Sequence, residues 1–248
     1  DQGKGEPLGD YLKRTEHPAL DQYNQLKKLE AQGFIIGDKE LDILKEVTES
    51  VPITLKEGFS TQARYSFRRG GGATDVKVLD INIDTKLYPK NSRRFTDAIV
   101  HEIGHQIHFQ RKWLGRKGVG NATVNRLFKK YERLVGYKPN YDTEKLDRIG
   151  GLLYTMRVER AEIMRKYKLT EAEFRQYRTN VRDFFGAITK ETVGGGHGAS
   201  YYTGPAIQRA EFIAHIAENF YHGNPLFKHY FPEIYEDTKK MWLELLKS

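Results

Sequence analysis

From Ser92 to the end of this 248-residue chain, apolar residues recur at three- and four-residue spacing with few interruptions, so most of the chain is set to fold as helix. The periodicity predicts helices over about 93–115, 121–135, 142–168, 171–188, 205–222 and 232–247. Pro89 and Asn91-Ser92 supply a loop and an N-cap ahead of the first. Thr170 with Glu173 three residues later is a capping-box pattern. Val193-Gly194-Gly195-Gly196-His197-Gly198 breaks the repeat and reads as a flexible loop.

Before Ser92 the character differs. Residues 1–16 read as a loose lead-in, and helices are expected at about 19–31, ended by Gly33, and 38–49. Val51, Ile53 and Leu55 then alternate with polar neighbours, Tyr65 and Phe67 do the same, and Val76, Val78, Ile81 and Ile83 suggest a third strand. The alternation slips between Leu79 and Asp80, where a bulge fits. The expected class is α+β: a small mixed sheet followed by a mainly helical half. Residues 1–50 would form a helical lead-in and 51–248 one domain, with its sheet part at 51–92 and its helical part at 93–248.

With 15 Tyr, 13 Phe and 2 Trp the chain has the apolar surface that a disordered sequence lacks. The absence of cysteine excludes disulfides, zinc-thiolate sites and cysteine nucleophiles. No run reaches the roughly 18 apolar residues of a membrane helix. The chain begins at Asp1 rather than Met, as a processed form or an excised piece would. The net charge is +8, with basic clusters at Arg68-Arg69, Arg93-Arg94, Arg111-Lys112, Arg116-Lys117, Lys129-Lys130 and Arg165-Lys166. These clusters would suit nucleic acid or acidic lipid, but several sit at helical spacing beside Glu or Asp, and solvated helix faces are the favoured reading.

Within the helix at 93–115 lies His101-Glu102-Ile103-Gly104-His105. Histidines four apart stand one turn from each other on the same face, where two imidazoles can hold one zinc ion. Glu102 projects beside them, within reach of a water on the metal, which is the H-E-x-x-H arrangement of metallopeptidases. Phe95, Ile99, Ile103 and Ile107 form an apolar stripe, while Asp97, His101, His105 and His108 line another face.

A catalytic zinc takes three protein ligands and keeps one position open. The metzincin extension fails, because His108 and Arg111 stand where Gly and His are required. A Glu from a later helix is the other solution, with Glu132, Glu159, Glu162, Glu211 and Glu218 as candidates. Glu132, Glu159 and Glu162 sit among basic residues, as solvated ion pairs do. Glu211 lies in Ala210-Glu211-Phe212-Ile213-Ala214-His215-Ile216-Ala217, where a carboxylate is buried and wants a cation or strong donors. Glu211 is therefore the expected third ligand.

These two segments resemble the gluzincin group that includes the catalytic domain of anthrax lethal factor and the Pro-Pro endopeptidases. They are also similar to metallopeptidase-like domains of phage minor head proteins, whose tail resembles Asn224-Pro225-Leu226 through Tyr230-Phe231-Pro232-Glu233. The likeness covers about residues 76–110 and 200–240. It implies a zincin-like fold joined at the active-site helix, with His101, His105 and Glu211 as ligands to one Zn²⁺ per chain and Glu102 as general base. It also implies a Tyr before the Glu that serves the oxyanion, for which Tyr201 and Tyr202 both stand as candidates. These families carry a carboxylate four residues after the ligand Glu, whereas this chain has His215. His215 would either support a ligand His from behind or be a core histidine with a local partner.

The resulting expectation is a zinc-dependent endopeptidase acting on a protein or peptide substrate. Glu102 would move the proton, and Tyr201, Tyr202 or His197 from the glycine loop would stabilise the oxyanion. The strand at 76–84 would be the edge along which an extended substrate adds. The alternative is a virion or capsid-associated structural protein whose basic surface contacts nucleic acid. A secreted or virion-associated setting follows from either likeness.

Overall fold

The structure is a computed structural model that describes residues 6–17, 19–33, 36, 53–57, 63–69, 76–88, 93–113, 119–221 and 223–247. The chain divides into two compact units, Asp1–Gln110 and Arg111–Ser248.

In the first unit, α1 (Leu8–Arg14) and α2 (Leu20–Ala31) form where Leu12, Leu26 and Leu29 turn inward. The lead-in is thus helical in part, against expectation, because Leu12 gives a single short turn pair an apolar anchor. The helix expected at 38–49, Val51 and the cap at Ser92 lie outside the described residues. Three strands follow, β1 (Ile53–Lys56), β2 (Ala63–Arg69) and β3 (Val76–Asp84), in the order β1-β3-β2. β1 runs parallel to β3 with Ile53 opposite Ile81, and β2 runs antiparallel with Ala63 opposite Ile83. Ser66 faces Asp80 while Phe67 faces Val78, so Leu79 is the extra residue of a bulge.

Two expectations are corrected here. β3 has a strand on each side over Ile81–Asp84, so it is central there and no edge strand, while Val76–Asp80 pair with β2 alone among the described residues. The α+β class does not hold either: the chain is mostly helical. Strands of 4, 7 and 9 residues are too little of it to make a sheet half in a zincin-like architecture. The alternating runs are short and separated by glycine and polar segments, so they add little beside the uninterrupted helical periodicity that follows.

That periodicity begins with α3 (Arg93–Trp113), which carries the His-Glu-x-x-His segment. Phe95, Ile99 and Ile103 of its stripe are fully buried. Within the unit the Gln22 side chain of α2 donates to Gln106 of α3 at 3.3 Å, which fixes the helix on its polar side.

The second unit is helical throughout its regular elements: α4 (Val119–Leu134), α5 (Thr143–Val158), α6 (Arg160–Tyr167), α7 (Glu171–Thr189), α8 (Pro205–Tyr221), α9 (Pro225–Tyr230) and α10 (Pro232–Lys247). The helix expected over 142–168 is two, because the backbone leaves helical ψ at Glu159. α9 was not expected; Asn224 caps it by accepting from the N–H groups of Leu226 and Phe227, and Pro225 opens it. The core is an aromatic cluster. Phe184 meets Phe227 at 5.0 Å between ring centres, Phe128 meets Phe212 at 5.3 Å, and Phe185 meets Phe231 at 4.7 Å. Each such buried ring contributes about 1.5–3 kcal/mol relative to exposure. Asn219 donates to the carbonyl of Asn180, and Asn224 to that of Tyr177, so polar side chains tie α8 and its C-terminal turn to α7. Among the described residues no helix is long and apolar enough to cross a membrane.

Candidate metal centre

In the first unit, the buried stripe of α3 fixes the helix rotation and so turns His101 and His105 to a common face. Both are half-buried, and their rings meet edge to face with centres 4.6 Å apart. Glu102 is 4% exposed. A carboxylate this deep in a helix needs donors or a cation to offset its lost hydration.

In the second unit, Glu211 sits in the apolar helix α8 and is 3% exposed. Tyr201 donates its phenol proton to Oε1 of Glu211 at 2.9 Å, and Nε2 of His197 lies 3.2 Å from Oε2. The rings of His197 and Tyr201 stack at 4.3 Å, so the two residues reach Glu211 as one block. One turn along α8, Nε2 of His215 lies 3.9 Å from Oε2 of Glu211, and its Nδ1 lies 2.9 Å from Oε2 of Glu218. Glu211, His215 and Glu218 therefore share one buried face of α8.

The strap between α7 and α8 carries His197 and Tyr201. Its glycines are used for close approach rather than for looseness. The Gly195 N–H donates to the carbonyl of Arg182, and the Arg182 guanidinium donates to the carbonyl of Gly194. A Cβ on Gly186 would lie 1.8 Å from the Gly195 carbonyl oxygen, so strap and helix touch backbone to backbone. The Gly198 N–H donates to Glu191, which closes the turn that presents His197. Gly194, Gly196 and Gly198 all have positive φ, a conformation that glycine adopts without strain. The glycine run thus shapes the turn that presents His197 and Tyr201.

Of the two tyrosine candidates, Tyr201 reaches Glu211 and keeps part of its ring in solvent. Tyr202 is 2% exposed, its hydroxyl finds no hydrogen-bond partner among the described residues, and burial with several nearby carboxylates pushes its pKa far up. Asp183 on α7 interacts electrostatically with His215, Glu218 and His197, and loss of solvent around it raises its pKa. Neither Asp183 nor Glu191 stood out in the sequence: Asp183 follows Arg182 as a surface ion pair would, and Glu191 is one polar residue among Lys190 and Thr192. Two of the ligand candidates set aside also find partners elsewhere. Glu132 is buried rather than solvated and pairs with Lys138 at 3.1 Å, while Glu159 accepts from Tyr230 at 2.7 Å.

The His and Glu side chains of the chain that could hold a metal ion include His101 and His105 in the first unit and Glu211, His215 and Glu218 in the second. Imidazole nitrogen with carboxylate oxygen is a donor set that divalent zinc accepts. No family profile, curated protein or solved structure matches this chain.

Proposed function

We propose that the chain is a zinc-dependent endopeptidase in which His101, His105 and Glu211 hold the ion and Glu102 is the general base. The observation that carries this reading is the setting of Glu211. A carboxylate buried in an apolar helix is met by a phenol and two imidazoles, while the other helix carries paired histidines and a buried glutamate. Structural economy does not call for a carboxylate at position 102 or 211; metal-assisted hydrolysis calls for both.

Zinc, when bound, supplies a Lewis acid that polarises a peptide carbonyl and acidifies water. Glu102 takes the proton of the attacking water and delivers it to the leaving nitrogen. Tyr201 donates a hydrogen bond to the carbonyl oxygen as it gains charge, once its phenol turns from Glu211. His197, stacked on Tyr201, orients that ring. A folded protein or an extended peptide is the substrate class.

The test is a cleavage profile on a peptide library with zinc-loaded protein, with Glu102→Ala as control and metal content measured for both. Cleavage by wild type with a loss of at least about a thousandfold in the variant is the expected result. Equal behaviour of the two proteins, both binding zinc, rejects the enzyme reading.

A structural protein that contacts a polyanion is the second reading, and one surface favours it. Arg126, Lys129, Lys130 and Arg133 line a groove of about 450 Å³ along the exposed face of α4. On this reading duplex DNA binds with an affinity that falls steeply with salt, by a slope of about −0.9 per phosphate contacted.

A further inference from the structure

Glu211, His215 and Glu218 stand at i, i+4 and i+7 on α8, so their side chains stack along one face of the helix. All three are buried. The imidazole of His215 lies between the two carboxylates: Nδ1 is 2.9 Å from Oε2 of Glu218, and Nε2 is 3.9 Å from Oε2 of Glu211. The shorter contact is a hydrogen bond and the longer one is not. With Glu218 ionised, its carboxylate can only accept, which puts the proton of that bond on Nδ1 and leaves the Nε2 lone pair turned to Glu211.

The backbone around this dyad is pinned. Asn219 donates to the carbonyl of His215 at 2.8 Å and to the carbonyl of Asn180 on α7 at 2.9 Å. The ring therefore has a fixed turn of helix beneath it and a fixed acceptor at Nδ1. The Oε1 side of Glu211 is held by Tyr201, and the Oε2 side faces His197 and His215. A carboxylate with two free oxygens would rotate about its last torsion; this one is bracketed on both.

We propose that Glu218 is a positioning residue for the metal site: by holding the His215 ring through Nδ1, it makes that ring a fixed wall against Oε2 of Glu211, which limits how the Glu211 carboxylate turns. The proposal rests on the reading of Glu211 as a metal ligand. It assigns a role to a carboxylate seven residues beyond the ligand and reached through an imidazole. Outer partners of metal ligands are worth about 10–100-fold in metal affinity. Glu218→Gln keeps an oxygen that accepts from Nδ1, whereas Glu218→Ala leaves the buried N–H without an acceptor.

The probe is zinc alone, titrated into the full chain against a chelating dye, with ¹⁵N NMR of the His215 ring before and after. Expected are a Nδ1-protonated His215 in the wild type and zinc affinity within about threefold of wild type for Glu218→Gln. Glu218→Ala should lose about 10–100-fold, with the tautomer preference lost as well. Equal zinc affinity in Glu218→Ala and wild type overturns the proposal and leaves the ligand reading intact. A wild-type chain that takes up no zinc removes both. A large shift of Nε2 on adding zinc also overturns it, because His215 is then itself a ligand. If Glu218→Ala does not fold, the wild-type tautomer still decides: a proton found on Nε2 in place of Nδ1 overturns the proposal.

Discussion

The phenol of Tyr201 donates to Oε1 of Glu211 across 2.9 Å, and the neighbouring Tyr202 has no partner for its own hydroxyl among the described residues. Two adjacent tyrosines thus have opposite environments, one reaching a buried carboxylate and one filling the core. Tyr201→Phe should lower kcat for peptide cleavage by about a hundredfold, the scale for losing one donor to a developing oxyanion. Zinc affinity should fall by less than about tenfold. Tyr202→Phe should leave cleavage unchanged and should not lower stability, because it removes a buried hydroxyl that makes no hydrogen bond among the described residues. Steady-state kinetics on one cleaved peptide, with zinc competition for each variant, checks the pair. Equal losses in the two variants would remove the distinction.

The strap that carries His197 and Tyr201 depends on a backbone contact that no side chain can enter. A methyl on Gly186 would stand 1.8 Å from the Gly195 carbonyl oxygen and 3.1 Å from its nitrogen, and both are backbone atoms. Gly186→Ala should therefore push the strap off α7 and cost about 1–3 kcal/mol, the range for overpacking a tight site. Gly150→Ala is the control, since the nearest atom to its added methyl is 3.9 Å away on Val193. It should be neutral or slightly stabilising, as alanine favours a helix interior over glycine by about 1 kcal/mol. Urea midpoints for the two variants measure the difference.

What could be read from the chain alone tracks the range of the interaction involved. Helix periodicity is local, so α3, α4, α7, α8 and α10 lie within a few residues of their expected bounds. Burial of Glu211 follows from its Ala, Phe and Ile neighbours and is likewise a local property. The strand order is not: alternation marks β3 as a strand, but only pairing with both β1 and β2 makes it central. The fold class failed for a related reason, since three alternating runs say nothing about how small a share of the chain they will be. The break at Glu159 has no Pro or Gly to announce it, and α1 needed only one buried Leu. Glu218 was visible as a carboxylate, while its bond to His215 emerged from side-chain orientation at i, i+3.

The N-terminus of α7 offers a test of local capping. The Thr170 hydroxyl accepts from the Glu173 N–H at 3.2 Å, and the Glu173 carboxylate accepts from the Thr170 N–H at 2.8 Å. Thr170→Ala removes one arm of this box and should cost about 1 kcal/mol. Thr170→Ser should retain nearly all of it, because the hydroxyl is kept. Both variants are compared by thermal unfolding at one pH and salt concentration, where an alanine variant as stable as wild type would show that the cap contributes nothing.

Asp183 provides the pH-dependent case. Loss of solvent around its carboxyl raises its pKa above the ordinary 3.8, and Glu218 adds to the rise, while His215, Arg182 and His197 oppose it. The raised value means that the folded chain holds the proton more tightly than the unfolded chain does. That proton contributes stability in full below the ordinary pKa, and the contribution is lost as pH rises through the raised one. At neutral pH the folded state therefore bears the cost of an ionised, poorly hydrated carboxylate. Asp183→Asn removes that cost with little change of shape. The variant should be more stable than wild type at pH 7, and its advantage should shrink on acidification, vanishing near the ordinary pKa. Urea unfolding of both proteins at intervals between about pH 4 and pH 8 reads the difference directly. An advantage that grew on acidification would require the pKa of Asp183 to be lowered by its neighbours, and would reverse the order of influence between burial and the groups His215, Arg182 and His197.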